Sequence, residues 1–145
     1  MKTTLMTGTA GRIGTFLRPE LAGKCRLRLS DIKPIRDLRP GETFMRADIS
    51  RLSDMLKVTK GVDAVVHFGG QSGEHDWEHI LSRNIVGFYN ALEAVRGNGV
   101  RRFLVATSKI VYGISDNARA WFDDANANAW AIGRRIGAKC MRRKS

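Results

Sequence analysis

The chain has 145 residues and 43% hydrophobic content, enough for one domain with one core and short for two. No run of 18 apolar residues occurs, and the opening "MKTTLMTGTA" passes into glycines without an apolar leader, so neither a membrane span nor a signal peptide is expected. The formal net charge is +11, concentrated at the end: residues 101–145 hold ten Lys/Arg against three Asp/Glu.

Such a basic end suits nucleic acid or an acidic surface. No aromatic-interleaved basic stripe and no helix-turn-helix pattern accompanies it, so a solvated helix end is the favoured reading and nucleic acid is not expected. Two cysteines, Cys25 and Cys140, stand far apart, which fits free thiols in a reducing cytoplasm.

In chain order the hydrophobic period alternates between strand and helix. "KTTLMTG" is a short β-rich run ended by glycine. "GRIGTFLRPEL" sets Ile13, Phe16, Leu17 and Leu21 at helical spacing, with Pro19 near its far end. "CRLRLSD" and "ETFMRAD" read as strands. "SRLSDMLKV" starts with Ser50 as an N-cap and puts Leu52, Met55 and Leu56 on one face. "VDAVVHFGG" is a buried strand closing on paired glycines. A long helix follows in "DWEHILSRNIVGFYNALEAVRGNG", with Trp77, Ile80, Leu81, Ile85, Phe88, Leu92 and Val95 as its apolar face and "GNG" as its stop. "VRRFLVATS" is the fifth strand. Residues 114–129 read as a loop before one last basic helix.

Strands alternating with helices predict an α/β fold: a Rossmann-like, doubly wound parallel sheet of about five strands in order 3-2-1-4-5. No linker divides the chain, so residues 1–145 are expected to form one dinucleotide-binding domain.

The chemistry lies first in "TGTAGRIG", which puts Gly8, Gly11 and Gly14 between the first strand and the first helix. There the first glycine permits a tight turn. The second admits a pyrophosphate, and the third lets the helix pack close. Arg12 and Ile13 fall inside the same loop. Asp31, at the end of the second strand, is the downstream acid this context requires. A carboxylate there accepts hydrogen bonds from both ribose hydroxyls and repels a 2′-phosphate, so NAD is the expected cofactor. Lys33 and Arg36 lie near enough to soften that choice, and a plain turn residue before "KP" is the other reading of Asp31. His75 and His79 share the i, i+4 spacing of a helical metal pair, but no third ligand is evident and no metal is expected. His67, ending a buried strand, reads as a packed, hydrogen-bonded histidine.

Together, "TGTAGRIG", "DI" at 31–32, "ADIS" at 47–50, "VVHFGG" at 65–70, "NIVGFYNALEA" at 84–94 and "FLVATSKIVYG" at 103–113 resemble the extended short-chain dehydrogenase/reductase family. Within its NAD-dependent epimerase/dehydratase group the likeness is to uronate dehydrogenases, which oxidise C1 of a hexuronic acid with NAD. The resemblance implies that Asp48 and Ile49 border the adenine. Phe68, Gly69 and Gly70 would line the cofactor, and Asn84 would hold the active-site helix. Ser108 would be the catalytic serine. Gln71 and Ser72 would face a sugar or sugar-acid substrate, with polar loop residues as the plainer reading of both. The resemblance also implies a homodimer through the long helix and the terminal helix.

One departure is decisive. The family carries a Tyr-x-x-x-Lys pair after the fifth strand, with the tyrosine as general base and the lysine lowering its pKa. The segment that corresponds is Trp130-Ala-Ile-Gly-Arg134. Indole N–H only donates, so Trp130 is no base, and the planar fork of Arg134 is an imperfect stand-in for a lysine. The resemblance further implies a chain cut short of its sixth strand and substrate-binding portion. The expectation is a cofactor-binding domain with impaired catalysis. The alternatives are turnover through Ser108 with Tyr112 as an unorthodox base, and a non-enzymatic NAD-binding scaffold whose basic helix binds a partner.

Overall fold

The computed structural model describes residues 1–106. Five parallel strands form one sheet in the order β3-β2-β1-β4-β5, as the alternation predicts. They are β1 (Thr3–Thr7), β2 (Arg26–Asp31), β3 (Glu42–Arg46), β4 (Ala64–His67) and β5 (Arg102–Val105). β1 is central, pairing in register with β2 from Thr3–Arg26 to Thr7–Ser30 and with β4 from Thr4–Ala64 to Thr7–His67.

Neighbouring residues on β1 point to opposite faces, and each face carries its own core. Leu5 packs with Met55, Val58, Val65, Ala91 and Ala94, under the helices α2 (Leu52–Thr59) and α4 (Gly87–Gly97). Met6, Leu27 and Leu29 form the other cluster, with Leu17 and Leu21 of α1 (Arg12–Leu21) against it. Helices on both faces are what an all-parallel sheet needs to bury its hydrophobic strands.

The helix faces differ from their sequence pattern. In α1, Leu17 and Leu21 pack inward, but Ile13 is half exposed and Phe16 is 75% exposed. The inward row also takes Gly14 and, unexpectedly, Arg18. Arg18 holds α1 to the β3 edge: Nε donates to Glu42 at 2.9 Å, Nη2 to Glu42 at 2.6 Å and Nη1 to Asp37 at 3.1 Å. Burial alone would raise the Glu42 carboxyl, but the Arg18 bonds and the Arg39 N–H hold it below the usual range. In α2, Met55 and Val58 are buried while Leu52 and Leu56 lie outward. Ser50 is not the cap. Arg51 takes that position, and the Ser50 hydroxyl instead donates to Asp48 Oδ1 at 2.7 Å.

The expected long helix is three segments in series: α3 (Trp77–Ile80), a π-helical stretch (Leu81–Val86), and α4. Asp76 caps the start by accepting the His79 N–H at 2.8 Å. The wider π turn shifts the face that follows it. Gly87, Asn90, Ala91 and Ala94 are buried, whereas Trp77, Ile85 and Leu92 of the expected apolar row are exposed. Among the described residues no helix is long and apolar enough to cross a membrane. Residues 1–106 are one compact unit; the loop at 114–129 and the terminal basic helix lie outside the described residues.

Candidate functional site

A cleft of about 220 Å³ opens at the C-terminal ends of the strands. Ligands bind in this crevice in open parallel sheets, where the strand order reverses. Its lining includes Gly8 and Gly11 of the glycine loop, Asp31 and Lys33 after β2, Ile49, the Phe68–Gln71 stretch after β4, and Arg83.

The glycine loop is closely packed. Gly8 has φ +67°, and a Cβ there would stand 2.5 Å from the Phe68 carbonyl carbon and 2.7 Å from Gly69 N. Only glycine lets the loop lie this close to the chain leaving β4. Gly14 is buried against the loop, where a Cβ would meet Thr9 backbone at 2.6 Å. Thr9 ties the loop down, its hydroxyl donating to Met6 O at 2.8 Å and accepting from Ser30 N at 3.2 Å. Gly11 is the N-cap of α1 and makes no side-chain cap, so the free N–H groups of the first turn remain at the cleft. Arg12 and Ile13 are exposed on that turn.

Asp31 joins this loop to the far end of the cleft. Oδ2 accepts the Ala10 N–H at 2.9 Å and Oδ1 accepts the Lys33 N–H at 3.0 Å. Each oxygen keeps a further lone-pair site for a ribose hydroxyl. Arg36 is exposed and not among the lining residues.

The opposite wall is set by Ile49 and the π-helical stretch. Ile49 fills the space that the missing side chains leave: a Cβ on Gly87 would stand 2.9 Å from it and one on Gly69 3.0 Å. Buried Asn90 fixes its backbone by donating to Ile49 O at 3.0 Å. Asn84 accepts the Gln71 N–H at 2.7 Å and donates to the Gln71 carbonyl at 3.0 Å, clasping the loop after β4. Ser72 is exposed beside it, its carbonyl accepting from Gln71 Nε2 at 3.0 Å. Asp48 stands behind Ile49 and is not among the lining residues. Its Oδ1 accepts the Ser50 N–H at 3.0 Å as well as the hydroxyl. Burial would raise this carboxyl, but Ser50 and the charges of Arg83 and Arg51 hold it low.

Beneath the wall, Thr7 Oγ1 accepts the Gly69 N–H at 3.3 Å and lies 2.7 Å from His67 Nδ1. Giving the hydroxyl proton to Nδ1 leaves the fewest unpaired atoms, so the imidazole proton sits on Nε2. That nitrogen is buried without a partner, with the ring stacked 5.8 Å from Phe103. Burial pushes the His67 pKa down to about 4, so the ring is neutral.

The histidine pair gains the third donor that spacing alone did not offer. His75, Asp76 and His79 bring ligand atoms within 4.8 Å of one another, but His75 and Asp76 are exposed and Asp76 Oδ1 already caps the helix. A second cleft, of about 430 Å³, lies at the other end of the sheet and is lined by Lys2, Lys24, Arg101 and Arg102. Asp63 lines it too, its carboxylate accepting the Thr3 N–H at 2.8 Å. Ser108, Tyr112, Trp130 and Arg134 lie outside the described residues.

Two residues that shape the cleft have no periodic signal in the sequence: Arg83, which lines it, and Asn90, which holds the Ile49 backbone, both sit in an apolar-patterned segment. The polar pair Arg83-Asn84 before an apolar run was the available clue.

A family model described as the NAD dependent epimerase/dehydratase family matches residues 4–141. A uronate dehydrogenase of Pseudomonas putida is 41% identical over 111 residues, covering 75% of this chain and 41% of that protein. One of Agrobacterium fabrum is 38% identical over 114 residues, 78% of this chain and 43% of that protein. Among solved structures, a mutant uronate dehydrogenase from Agrobacterium tumefaciens complexed with NAD is similar at TM-score 0.74 and 37% identity, over 79% of this chain and 44% of that one. The chain thus spans about two-fifths of the length of the curated relatives it matches.

Proposed function

We propose that this chain, which belongs to the NAD dependent epimerase/dehydratase family, binds NAD in the cleft between the glycine loop and Gln71 and serves as the cofactor-binding domain of a uronate dehydrogenase-like oxidoreductase. The observation that carries this is the Asp31 bond to the Ala10 N–H at 2.9 Å. It makes the ribose acceptor and the phosphate loop one rigid unit. The residues present fit the dinucleotide: Gly8, Gly11, Gly69 and Gly70 line the cleft with no side chain of their own, and the first turn of α1 offers unpaired N–H groups. When bound, the nicotinamide supplies the hydride acceptor.

If Asp31 holds the ribose, Asp31→Ala weakens NADH binding by about tenfold or more, from loss of charge-assisted hydrogen bonds. NADPH binding falls much less, because the carboxylate that repels its 2′-phosphate is gone. Fluorescence titration of both cofactors checks this, and equal loss for the two would remove the ribose role.

For catalysis, we propose that the chain binds the cofactor with impaired turnover. Ser108 would still hydrogen-bond the reacting hydroxyl, while Trp130 supplies no base and Arg134 keeps only the charge. The relatives support a hexuronic acid as substrate class. With galacturonate or glucuronate and NAD, the expected result is no NADH absorbance above background. Steady NADH production abolished by Tyr112→Phe would instead favour the unorthodox base. A non-enzymatic NAD-binding scaffold is the remaining reading, and salt-sensitive capture of a nucleic acid by the basic end would favour it.

A further inference from the structure

The cleft holds one charged side chain that nothing above accounts for. Arg83 sits in the π-helical stretch, is half-buried and lines the cleft beside Gly69, Gly70 and Gln71. Among the described residues the arginines and histidines in ion pairs are Arg18, Arg96 and His79, so Arg83 has no carboxylate within 4.0 Å there. Asp48 feels its charge, from beyond ion-pair distance. The first turn of α1 adds a second positive pole to the same cleft. A half-buried guanidinium with no carboxylate within 4.0 Å, in a cleft that also takes the first turn of a helix, suits an anion.

We propose that Arg83 is a binding residue for the cofactor's diphosphate, reaching it from the π-helical stretch that lines the same cleft as the glycine loop. The position follows from two contacts. The wall at Phe68 and Gly69 lies directly against Gly8, so a group on the phosphate loop is within the reach of that wall. Asn84, the next residue, clasps both backbone groups of Gln71, which ties the π-helical stretch to the chain that continues that wall. The 2′-position is the other anionic site a cofactor could present. It falls at the Asp31 end, where Lys33 lies and where a carboxylate opposes phosphate. A guanidinium fork suits two neighbouring phosphate oxygens, which a lysine ammonium meets only as a point charge.

This rests on the proposal that the cleft takes NAD, and the test separates the two. Intact wild-type chain and Arg83→Ala are titrated with NADH, ADP-ribose and adenosine, at about 50 and about 300 mM salt, and both are checked by circular dichroism. The expected result is a loss of about tenfold to a hundredfold for NADH and ADP-ribose in Arg83→Ala, with adenosine unchanged. The salt dependence of the variant should be shallower. Arg83→Lys should recover part of the loss. Unchanged NADH binding in Arg83→Ala overturns the assignment while leaving the NAD site standing. Equal loss for adenosine also overturns it, since that marks stacking on the base. If the wild-type chain binds neither NADH nor ADP-ribose, the reading of the cleft fails and the role of Arg83 falls with it. Should Arg83→Ala not fold, Arg83→Gln keeps the stem and removes the charge, and the same outcomes apply.

Discussion

Gly8→Ala is expected to destabilise the chain by roughly 2–5 kcal/mol and to abolish measurable cofactor binding. Two costs add. The residue sits at φ +67°, which a Cβ disfavours by roughly 1–2 kcal/mol. That Cβ would also stand 2.5–2.7 Å from Phe68 and Gly69 backbone, so either the loop or the wall must shift. Backbone cannot rotate away as a flexible side chain can. Gly61→Ala is the control: its φ is +70°, but nothing lies within 4 Å, so only the conformational cost applies. Denaturant unfolding of both variants checks the difference. Equal losses would show that the close approach at Gly8 contributes nothing.

The second large effect concerns acid. His67 is neutral in the fold with a pKa of about 4, while in the unfolded chain it titrates near the ordinary histidine value of 6.5. Protonation is thus harder in the folded state. The stability this group contributes is complete above pH 6.5 and is lost as the pH falls from there to about 4, where the folded form protonates too. The difference amounts to roughly 3 kcal/mol across that window. The cause is burial among Phe88 and Phe103, with Nδ1 held by Thr7 and Nε2 unpaired. The lowered carboxyls of Glu42, Asp37 and Asp48 also favour the fold at neutral pH, but their losses begin only at the ordinary carboxylate pKa and run downward from there. Comparing His67→Phe with wild type over pH 4–7 isolates the imidazole. A wild-type slope that persists unchanged in His67→Phe would assign the acid sensitivity elsewhere.

How far the sequence could be read depended on which kind of signal each element carries. The glycine loop, Asp31 and the strand order come from local chemistry at fixed spacing: a strand must end in a tight turn and then open a helix, and few residues do that. Helix faces are different. Apolar spacing in α1 marks a stripe, but Phe16 shows that it does not say which part of the stripe meets the sheet. The packed row follows Gly14, because only a glycine allows the helix so near Thr9. In the long helix an inserted π turn displaces the pattern, leaving Trp77 outside and drawing Asn90 in. Ser50 had the composition of an N-cap, yet the helix begins one residue later, with Arg51 at the cap, and the Ser50 hydroxyl donates back to Asp48. Arg18, Asn84 and Arg83 act through partners 13 or more residues away or through a cleft, and such pairings leave no periodic trace.

The central claim is that the cleft at the strand C-termini binds NAD. It is tested most directly by titrating the intact chain with NADH and following nicotinamide fluorescence. Saturable binding with one site per chain, weakened by Asp31→Ala, is the result expected. Fluorescence that stays at the level of free NADH, with no shift in thermal unfolding at saturating cofactor, would contradict it.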